Sequence, residues 1–277
     1  MALEITPERV RSVAATLADG GWRFTGRQLY YAVCREVEVP RTKVAPGLLS
    51  LGVLLILIGA ITGQRTVLAI LAALGLLLLV VGVVTHLSER RPPPDTRLLA
   101  TSFDSFRTDH LDGRSYDGLV ADAGAPPAAT EAGALVGCDR PETALMLLAN
   151  AARLGEPVTV IEGEAINDLP PGTAIVVVHD AAPTGCALVA EARERGLSVV
   201  DAGINPGEVM GRRMQVLEGA PARLPRDLGH RLRPAEVDWL LGGRRLELAT
   251  LTPEETVIRV RAALAGEPVG EAAAPTP

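Results

Sequence analysis

The sequence contains few cysteines, and none lies in a metal-binding pair. Cys34, Cys138 and Cys186 are its three cysteines, and no Cys-x-x-Cys motif occurs. An odd number of scattered cysteines argues against a disulfide framework and against a zinc site. Reduced thiols are typical of the cytoplasm, so we expect the cysteines to lie on the cytoplasmic side.

Charge is almost absent between residues 45 and 84. Arg65 is the only Lys, Arg, Asp or Glu there, and it separates two apolar runs of 18 and 19 residues, APGLLSLGVLLILIGAIT and TVLAILAALGLLLLVVGVV. A helix of that length spans about 27 Å, close to the thickness of a bilayer core. The sequence therefore predicts a transmembrane helical hairpin over residues 44–87. The alternative is a buried helical hairpin in a soluble core.

Basic residues flank the predicted hairpin on both sides. Arg41 and Lys43 precede it, and Arg90 and Arg91 follow it. Because positive charge favours the cytoplasmic side, we predict a multi-pass protein of the cell membrane with two spans and both termini in the cytoplasm.

Glycines recur at a spacing of seven residues within each predicted span. Gly52 and Gly59 share one face of the first helix, and Gly75 and Gly82 share one face of the second. Small residues let helix backbones approach closely in lipid. We predict that these faces meet inside the hairpin or across a homodimer, with chance placement as the alternative.

Residues 92–277 are acidic, with 27 Asp and Glu against 17 Lys and Arg. Affinity for nucleic acid comes mainly from neutralising phosphates, so this balance disfavours nucleic acid as a partner without excluding it. The partners that we predict are the lipid bilayer and a protein or small anionic ligand.

The pattern predicts five regions along the chain. They are an N-terminal helical segment (1–43), the hairpin (44–87), a linker with a small helical piece (88–133), an α/β domain (134–264) and a disordered tail (265–277). In the fourth region, the short apolar runs ALVG, VTVI, AIVVV and LSVV alternate with helical stretches. Continuous apolar strands are typical of a parallel sheet covered by helices on both faces, so we predict a doubly wound α/β fold there.

An acid follows each of the four predicted strands: Asp139, Glu162 with Glu164, Asp180, and Asp201. Ligands of open parallel sheets lie beyond the carboxyl ends of the strands. Mg²⁺ prefers carboxylate oxygens, so these acids predict a weak metal site, or none, at Asp139 and Asp180, with Glu162 and Glu164 as further candidates. The alternative is that these loops are simply polar and cap helices, as Thr184 would do.

His179 precedes Asp180 at the end of the third predicted strand. Adjacent residues of a strand point to opposite faces, so we predict that His179 is packed in the interior. A role as a base or a metal ligand is the alternative.

Two segments resemble a known family. GRQLYYAVC, residues 26–34, resembles the Arg-x-x-Tyr-Tyr segment of the winged-helix domain in topoisomerase VI A subunits and related meiotic double-strand-break proteins. HDAAPTG resembles the Asp-x-Asp-Pro-x-Gly motif of their toprim domain, with Asp180, Pro183 and Gly185 matching, and Asp139 matches the acid after the first strand. The resemblance implies that these acids hold Mg²⁺ and that Tyr31 attacks a DNA phosphodiester.

The chain departs from this family at three places. Ala182 stands where the second Asp is expected, Arg140 replaces the usual lysine, and the predicted hairpin falls where the winged helix should continue. We therefore expect a membrane protein with a degenerate toprim-like domain, non-enzymatic and without a cofactor. It would bind a small anionic ligand or a protein partner through Arg140, Thr184 and Gly185. The alternative is a membrane-tethered, Mg²⁺-dependent phosphoryl-transfer or DNA-processing enzyme with Tyr31 as its nucleophile.

Overall fold

The computed structural model describes residues 4–37, 58, 73–78, 80–81, 101–120, 133–210, 216–218, 223–224, 228, 232–267 and 269. The chain divides into two units, of which one comprises Met1–Glu38 with Asp95–Pro277 and the other Val39–Pro94. The second unit contains the segment predicted as a hairpin, and the few residues described there are helical.

The prediction of a two-span membrane protein is contradicted. Among the residues that the structure describes, no helix is long and apolar enough to cross a bilayer. Apolar composition alone does not make a span, which needs about 20 consecutive helical residues. The predicted location, a cell membrane crossed twice with both termini in the cytoplasm, is corrected with it, and the bilayer as a partner stays a prediction.

Much of the predicted hairpin, 44–87, lies outside the described residues. Gly52, Gly59 and Gly82 lie there too, so their predicted packing role stays a prediction. Gly75 is described, and it is helical and buried.

Two capped helices open the chain, α1 (Pro7–Ala18) and α2 (Gly26–Val37). The Thr6 side chain accepts a hydrogen bond from the first turn of α1, and Pro7 occupies the first helical position. Thr25 and Gln28 cap α2 reciprocally: the Gln28 N–H donates to Thr25 Oγ1 at 3.1 Å, and the Thr25 N–H donates to Gln28 Oε1 at 3.0 Å. Local sequence therefore sets where both helices begin.

α2 packs on α1 and on a short helical stretch later in the chain, α3 (Phe103–Phe106), which continues into a π-helical turn at Arg107–Leu111. We call residues 4–37 and 101–120 the N-terminal lobe. The lobe has its own apolar cluster, made by the buried side chains of Val10, Val13, Ala14, Leu17, Phe24, Leu29, Tyr30, Tyr31, Val33, Cys34, Phe106 and Leu111.

Four parallel strands form the main sheet in the order β2–β1–β3–β4. Their bounds are Ala134–Cys138 for β1, Val158–Glu162 for β2, Ala174–Val178 for β3 and Ser198–Asp201 for β4. The predicted parallel α/β sheet is confirmed. β1 and β3 are its inner strands, so their carboxyl ends lie side by side.

Helices follow the strands and cover both faces of the sheet. They are α4 (Pro141–Ala149), α5 (Gly163–Ile166), α6 (Pro183–Glu194), α7 (Pro206–Val209), α8 (Pro234–Leu241) and α9 (Pro253–Leu264). Alternate residues of β3 enter different apolar clusters, Val176 and Val178 one and Ile175 and Val177 the other. That alternation is expected of a strand buried on both faces.

A short antiparallel ribbon, β5 (Leu217–Glu218) with β6 (Arg244–Arg245), precedes the last segment of the domain. After β6 the chain passes over the carboxyl edge of the sheet. There Ala181 and Leu246 exchange backbone hydrogen bonds of 2.9 and 3.0 Å. This crossing places Glu247 and Leu248 at the edge where the sequence predicts a site.

Candidate functional site

Asp139 and Asp180 meet at the carboxyl ends of the two inner strands. The backbone N–H of Asp180 donates to Asp139 Oδ2 at 2.8 Å, and the backbone N–H of Asp139 donates to the Val178 carbonyl at 3.1 Å. The sequence-based expectation that these two acids lie together is therefore correct. We call this region the acidic edge, made by Asp139, Asp180 and, as shown below, Glu247.

Both carboxylate oxygens of Asp180 have partners within the chain. Oδ1 accepts the backbone N–H of Leu248 at 2.7 Å, and Oδ2 accepts Nε–H of Arg140. Asp180 is only 1% exposed, and burial raises its pKa against the opposing effects of Arg140 and the Leu248 N–H. Because both oxygens accept hydrogen bonds, the ionised carboxylate is the form that these contacts suit.

Arg140 also reaches a third acid that the sequence analysis did not select. Its Nη2 lies 3.4 Å from Glu247 Oε1, and Arg27 of α2 approaches Glu247 Oε2 at 3.2 Å. Glu247 is 5% exposed, and its buried negative charge is compensated by these two arginines. The available sequence signal was a charged residue inside the apolar run LEL, which is unusual for a buried segment unless the charge is paired.

Tyr31 approaches the same carboxylate from α2. Its side chain is 2% exposed, and burial, followed by the charge of Glu247 and its hydrogen bond with the hydroxyl, raises the pKa of Tyr31 well above its ordinary value. A connected chain of contacts thus runs from Tyr31 through Glu247 and Arg140 to Asp180 and Asp139. In this arrangement the phenol remains protonated and shielded.

Asp139 carries the least satisfied carboxyl of the acidic edge. Its Oδ1 is buried without a hydrogen-bond partner, while Oδ2 accepts the Asp180 N–H. Burial and the neighbouring charge of Asp180 raise the pKa of Asp139 to about 7, despite the Asp180 N–H, His179 and Arg140. Near neutral pH this group therefore exchanges a proton readily.

His179 is fully buried beside the acidic edge, as the sequence predicts for a packed residue. Its Nδ1 lies 2.7 Å from the carbonyl oxygen of Asp180, and its Nε2 lies 3.0 Å from Asp201 Oδ1. A carbonyl only accepts, so Nδ1 carries a proton, and a carboxylate partner favours a second proton on Nε2. Burial lowers the pKa of His179, but Asp201 outweighs burial and raises it.

The partner acid, Asp201, has the opposite shift. Burial alone would raise the pKa of Asp201, but hydrogen bonding and charge from His179 lower it, helped by the Gly203 N–H at 3.0 Å. Gly203 lies directly against the imidazole: a Cβ at this position would come within 2.2 Å of the ring, so a larger residue would not fit. His179 and Asp201 therefore form a tightly enclosed ion pair.

The other predicted site residues lie around this centre without joining it. Glu162 is opposite Cys138 in the strand register, and Glu164 is exposed in the first turn of α5. In the described part of the chain, no hydrogen bond joins either residue to Asp139 or Asp180.

Thr184 does not cap α6. The cap position belongs to Ala182, which has no side-chain cap bond, and Thr184 is exposed at the second position of the helix. Gly185, predicted as a ligand-binding residue, lies close to the acidic edge: a Cβ there would come within 2.5 Å of the Asp180 carbonyl and 3.1 Å of Asp139 Oδ2. Because glycine has no side chain, the first turn of α6 packs closely against the acidic edge.

The acidic edge does not fit a divalent cation as it is arranged. Over the residues that the structure covers, no group of three or more His, Cys, Asp or Glu side chains is placed to hold a metal. The guanidinium of Arg140 lies between Asp180 and Glu247, and backbone N–H groups occupy oxygens of Asp139 and Asp180. Mg²⁺ requires near-octahedral oxygen ligands, which this set cannot supply while Arg140 stays in place.

The fold and the site define an α/β protein whose acidic sheet edge is neutralised by its own basic side chains. No protein-family model, curated protein or solved structure matches this chain.

Proposed function

We propose that this protein is a non-catalytic binding or scaffolding protein, built on a toprim-like domain whose acidic edge serves structure instead of metal chemistry. The observation that carries the proposal is the Arg140 side chain, which bridges Asp180 and Glu247. An internal arginine supplies the positive charge that a metal would supply in a catalytic edge. Because guanidinium stays protonated at all accessible pH values, this neutralisation is permanent.

The hydrogen bonds of the carboxylates support the same proposal. Asp180 uses both oxygens within the chain and Asp139 uses one, which leaves Asp139 Oδ1 as the one of their four oxygens without a partner. Binding Mg²⁺ here would require displacing Arg140 and dehydrating the ion, and both steps cost free energy. A single available carboxylate oxygen would compensate only a small part of that cost.

The position of Ala182 also favours a non-catalytic domain. It occupies the place where the resemblance expects a second acid, and it is buried at the start of α6 with 7% exposure. Glu247 brings a third acid to the edge from a different segment, but two arginines hold it. The edge thus has three carboxylates, as the resemblance expects, but they are not arranged to bind a metal.

The expected partner is a protein or a small ligand, with nucleic acid disfavoured by the acidic balance of residues 92–277. A homodimer stays a prediction. Arg140 is engaged with two acids, so an anionic ligand would have to compete with Asp180 and Glu247 for it. This competition favours a protein partner over a small anion.

Isothermal titration with Mg²⁺ tests the proposal. We expect no stoichiometric binding below millimolar concentrations for the full-length chain, and the same result for Asp180→Ala. The matched control is Asp168→Ala, which removes an exposed acid outside the acidic edge. A tight one-to-one site in the parent protein that Asp180→Ala abolishes and Asp168→Ala preserves would overturn the proposal.

A second candidate function is metal-dependent phosphoryl transfer with Tyr31 as the nucleophile. The observation that favours it is that Tyr31, Glu247 and Asp180 belong to one chain of contacts within a single protomer. It requires Arg140 to leave Asp180 and Tyr31 to become accessible. A covalent adduct with DNA in the presence of Mg²⁺ or Mn²⁺ that Tyr31→Phe eliminates and Tyr30→Phe retains would establish it.

A further inference from the structure

The N-terminal lobe and the sheet domain have separate apolar cores. The lobe buries its own cluster around Phe24, Leu29 and Phe106, whereas the sheet buries clusters around Val136 and Val177. Between the two cores runs a boundary, which we call the joint, where α2 faces α4 and the segment that follows β6.

Ion pairs and hydrogen bonds dominate the centre of the joint. Arg27 Nε lies 3.3 Å from Glu142 Oε1, and Arg27 Nη1 lies 3.2 Å from Glu247 Oε2. Gln28 Nε2 donates to the Leu251 carbonyl at 3.2 Å. Since Glu247 also binds Arg140, it connects Arg27 of the lobe to the rest of the acidic edge.

A second polar contact lies at the far end of the joint. The backbone N–H of Arg23 donates to Asn150 Oδ1 at 3.1 Å, and Asn150 Nδ2 donates to the Arg23 carbonyl at 2.8 Å. Arg153 donates to the Gly20 carbonyl and stacks over Trp22 at 4.1 Å from the ring centroid. These contacts flank the central ion pairs without touching the acidic edge.

Apolar contact across the joint comes from few side chains. Trp22 packs against the sheet core, and Leu217 and Ala249 pack against the core of the lobe. A crevice of about 10 Å³, room for roughly one water molecule, separates the parts near Arg27 and Arg140. Polar, incompletely packed boundaries between separate cores are where relative motion is expected.

We propose that the joint is an autoinhibitory contact: Glu247 holds the N-terminal lobe over the acidic edge through Arg27, and breaking this bridge loosens the lobe and exposes the Tyr31 hydroxyl and Asp180. This device does not depend on whether the exposed edge is catalytic, so its test is separate from the Mg²⁺ titration above.

Hydrogen exchange of the full-length chain, read by mass spectrometry, tests the joint. In Glu247→Gln, we expect amides of α2 to exchange at least about tenfold faster, because two arginines lose their buried partner. Amides of β1 and β3 should keep their parent rates. The control Glu191→Gln removes an exposed acid on α6 and should change neither set.

Two results would overturn the proposal: unchanged exchange in α2, or equal acceleration in α2 and the sheet, which would mean one cooperative core. If Glu247→Gln does not fold, Arg27→Gln breaks the same bridge from the side of the lobe and should accelerate exchange in α2 but not in β3. Unchanged exchange in α2 of that variant would reject the ionic joint.

Discussion

Asp180 and Asp201 lie at the carboxyl ends of neighbouring parallel strands, yet their pKa values shift in opposite directions. Asp180 shares its cation, Arg140, with Glu247, and burial prevails, so its pKa is raised. Asp201 has His179 as its own partner and also accepts the Gly203 N–H, so its pKa is lowered. Both acids lie at the end of a strand of the same sheet, so position does not explain the difference. The acid whose cation is not shared with a second acid has the lowered pKa.

Breaking the ion pair between His179 and Asp201 should have the largest effect on stability. Asp201→Ala leaves the buried His179 without its carboxylate, and we expect the free energy of unfolding to fall by about 3–5 kcal/mol, the usual cost of breaking a buried pair. Urea denaturation at pH 6 measures it, with exposed Asp168→Ala as the control, expected within about 0.5 kcal/mol of the parent. A loss for Asp201→Ala as small as that of the control would mean that His179 is neutral.

Removing the shared cation should cost less. Arg140→Gln leaves Asp180 and Glu247 without one positive partner, but Arg27 still compensates Glu247, and the Arg140 side chain is 32% exposed. We expect a loss of about 2–3 kcal/mol, measured by urea denaturation. Arg195→Gln, which removes only an exposed contact with Asn167, is the control and should be near neutral. If Arg140→Gln stabilises the protein, the arginine bridge is not a structural element.

Stability should decline as pH rises from mildly acidic to mildly basic. The pKa of Asp139 is raised from 3.8 to about 7, so its contribution is complete below pH 3.8 and is lost as pH rises to about 7. The raised pKa values of Asp180 and, above about pH 6.5, of His179 act in the same direction. We expect the free energy of unfolding to fall by about 2–3 kcal/mol between about pH 5 and pH 8.

Asp139→Asn isolates the contribution of Asp139 to this pH dependence. It should reduce the part between about pH 4 and pH 7 and leave the parts due to Asp180 and His179. Asp201, with its lowered pKa, acts oppositely, because its contribution is lost only as pH falls through its folded value below 3.8. A pH profile that Asp139→Asn does not change would show that Asp139 is ionised throughout.

The smallest effect is expected at Thr184. The side chain is exposed and does not cap α6, so Thr184→Ala should change the free energy of unfolding by less than about 0.5 kcal/mol. Thr6→Ala is the comparison, because Thr6 does cap α1, and it should cost about 1 kcal/mol. Equal losses at both positions would contradict the cap assignment.

Local sequence predicted the sheet and the meeting of Asp139 with Asp180, because buried parallel strands are continuous apolar runs and their carboxyl ends coincide. It did not predict Arg27 or Glu247 at the edge. Their contact joins residues 220 positions apart, which no local pattern records. The cap assigned to Thr184 was wrong because Pro183 already starts the helix, which moves the cap position to Ala182.

The transmembrane prediction failed for a different reason. Hydropathy measures composition over a window, whereas a bilayer span also needs an unbroken helix, and no such helix occurs in the ranges that the structure covers. The tyrosine segment illustrates a third limit. The sequence places Tyr31 on a helix, but only the tertiary arrangement reveals that Glu247 and burial hold its hydroxyl protonated.

The most direct test of the central claim is a crystal structure of the full-length chain grown with excess Mg²⁺. We predict that the guanidinium of Arg140 lies between Asp180 and Glu247 and that no metal occupies the acidic edge. A magnesium ion ligated by Asp139 and Asp180, with Arg140 turned away, would contradict the account.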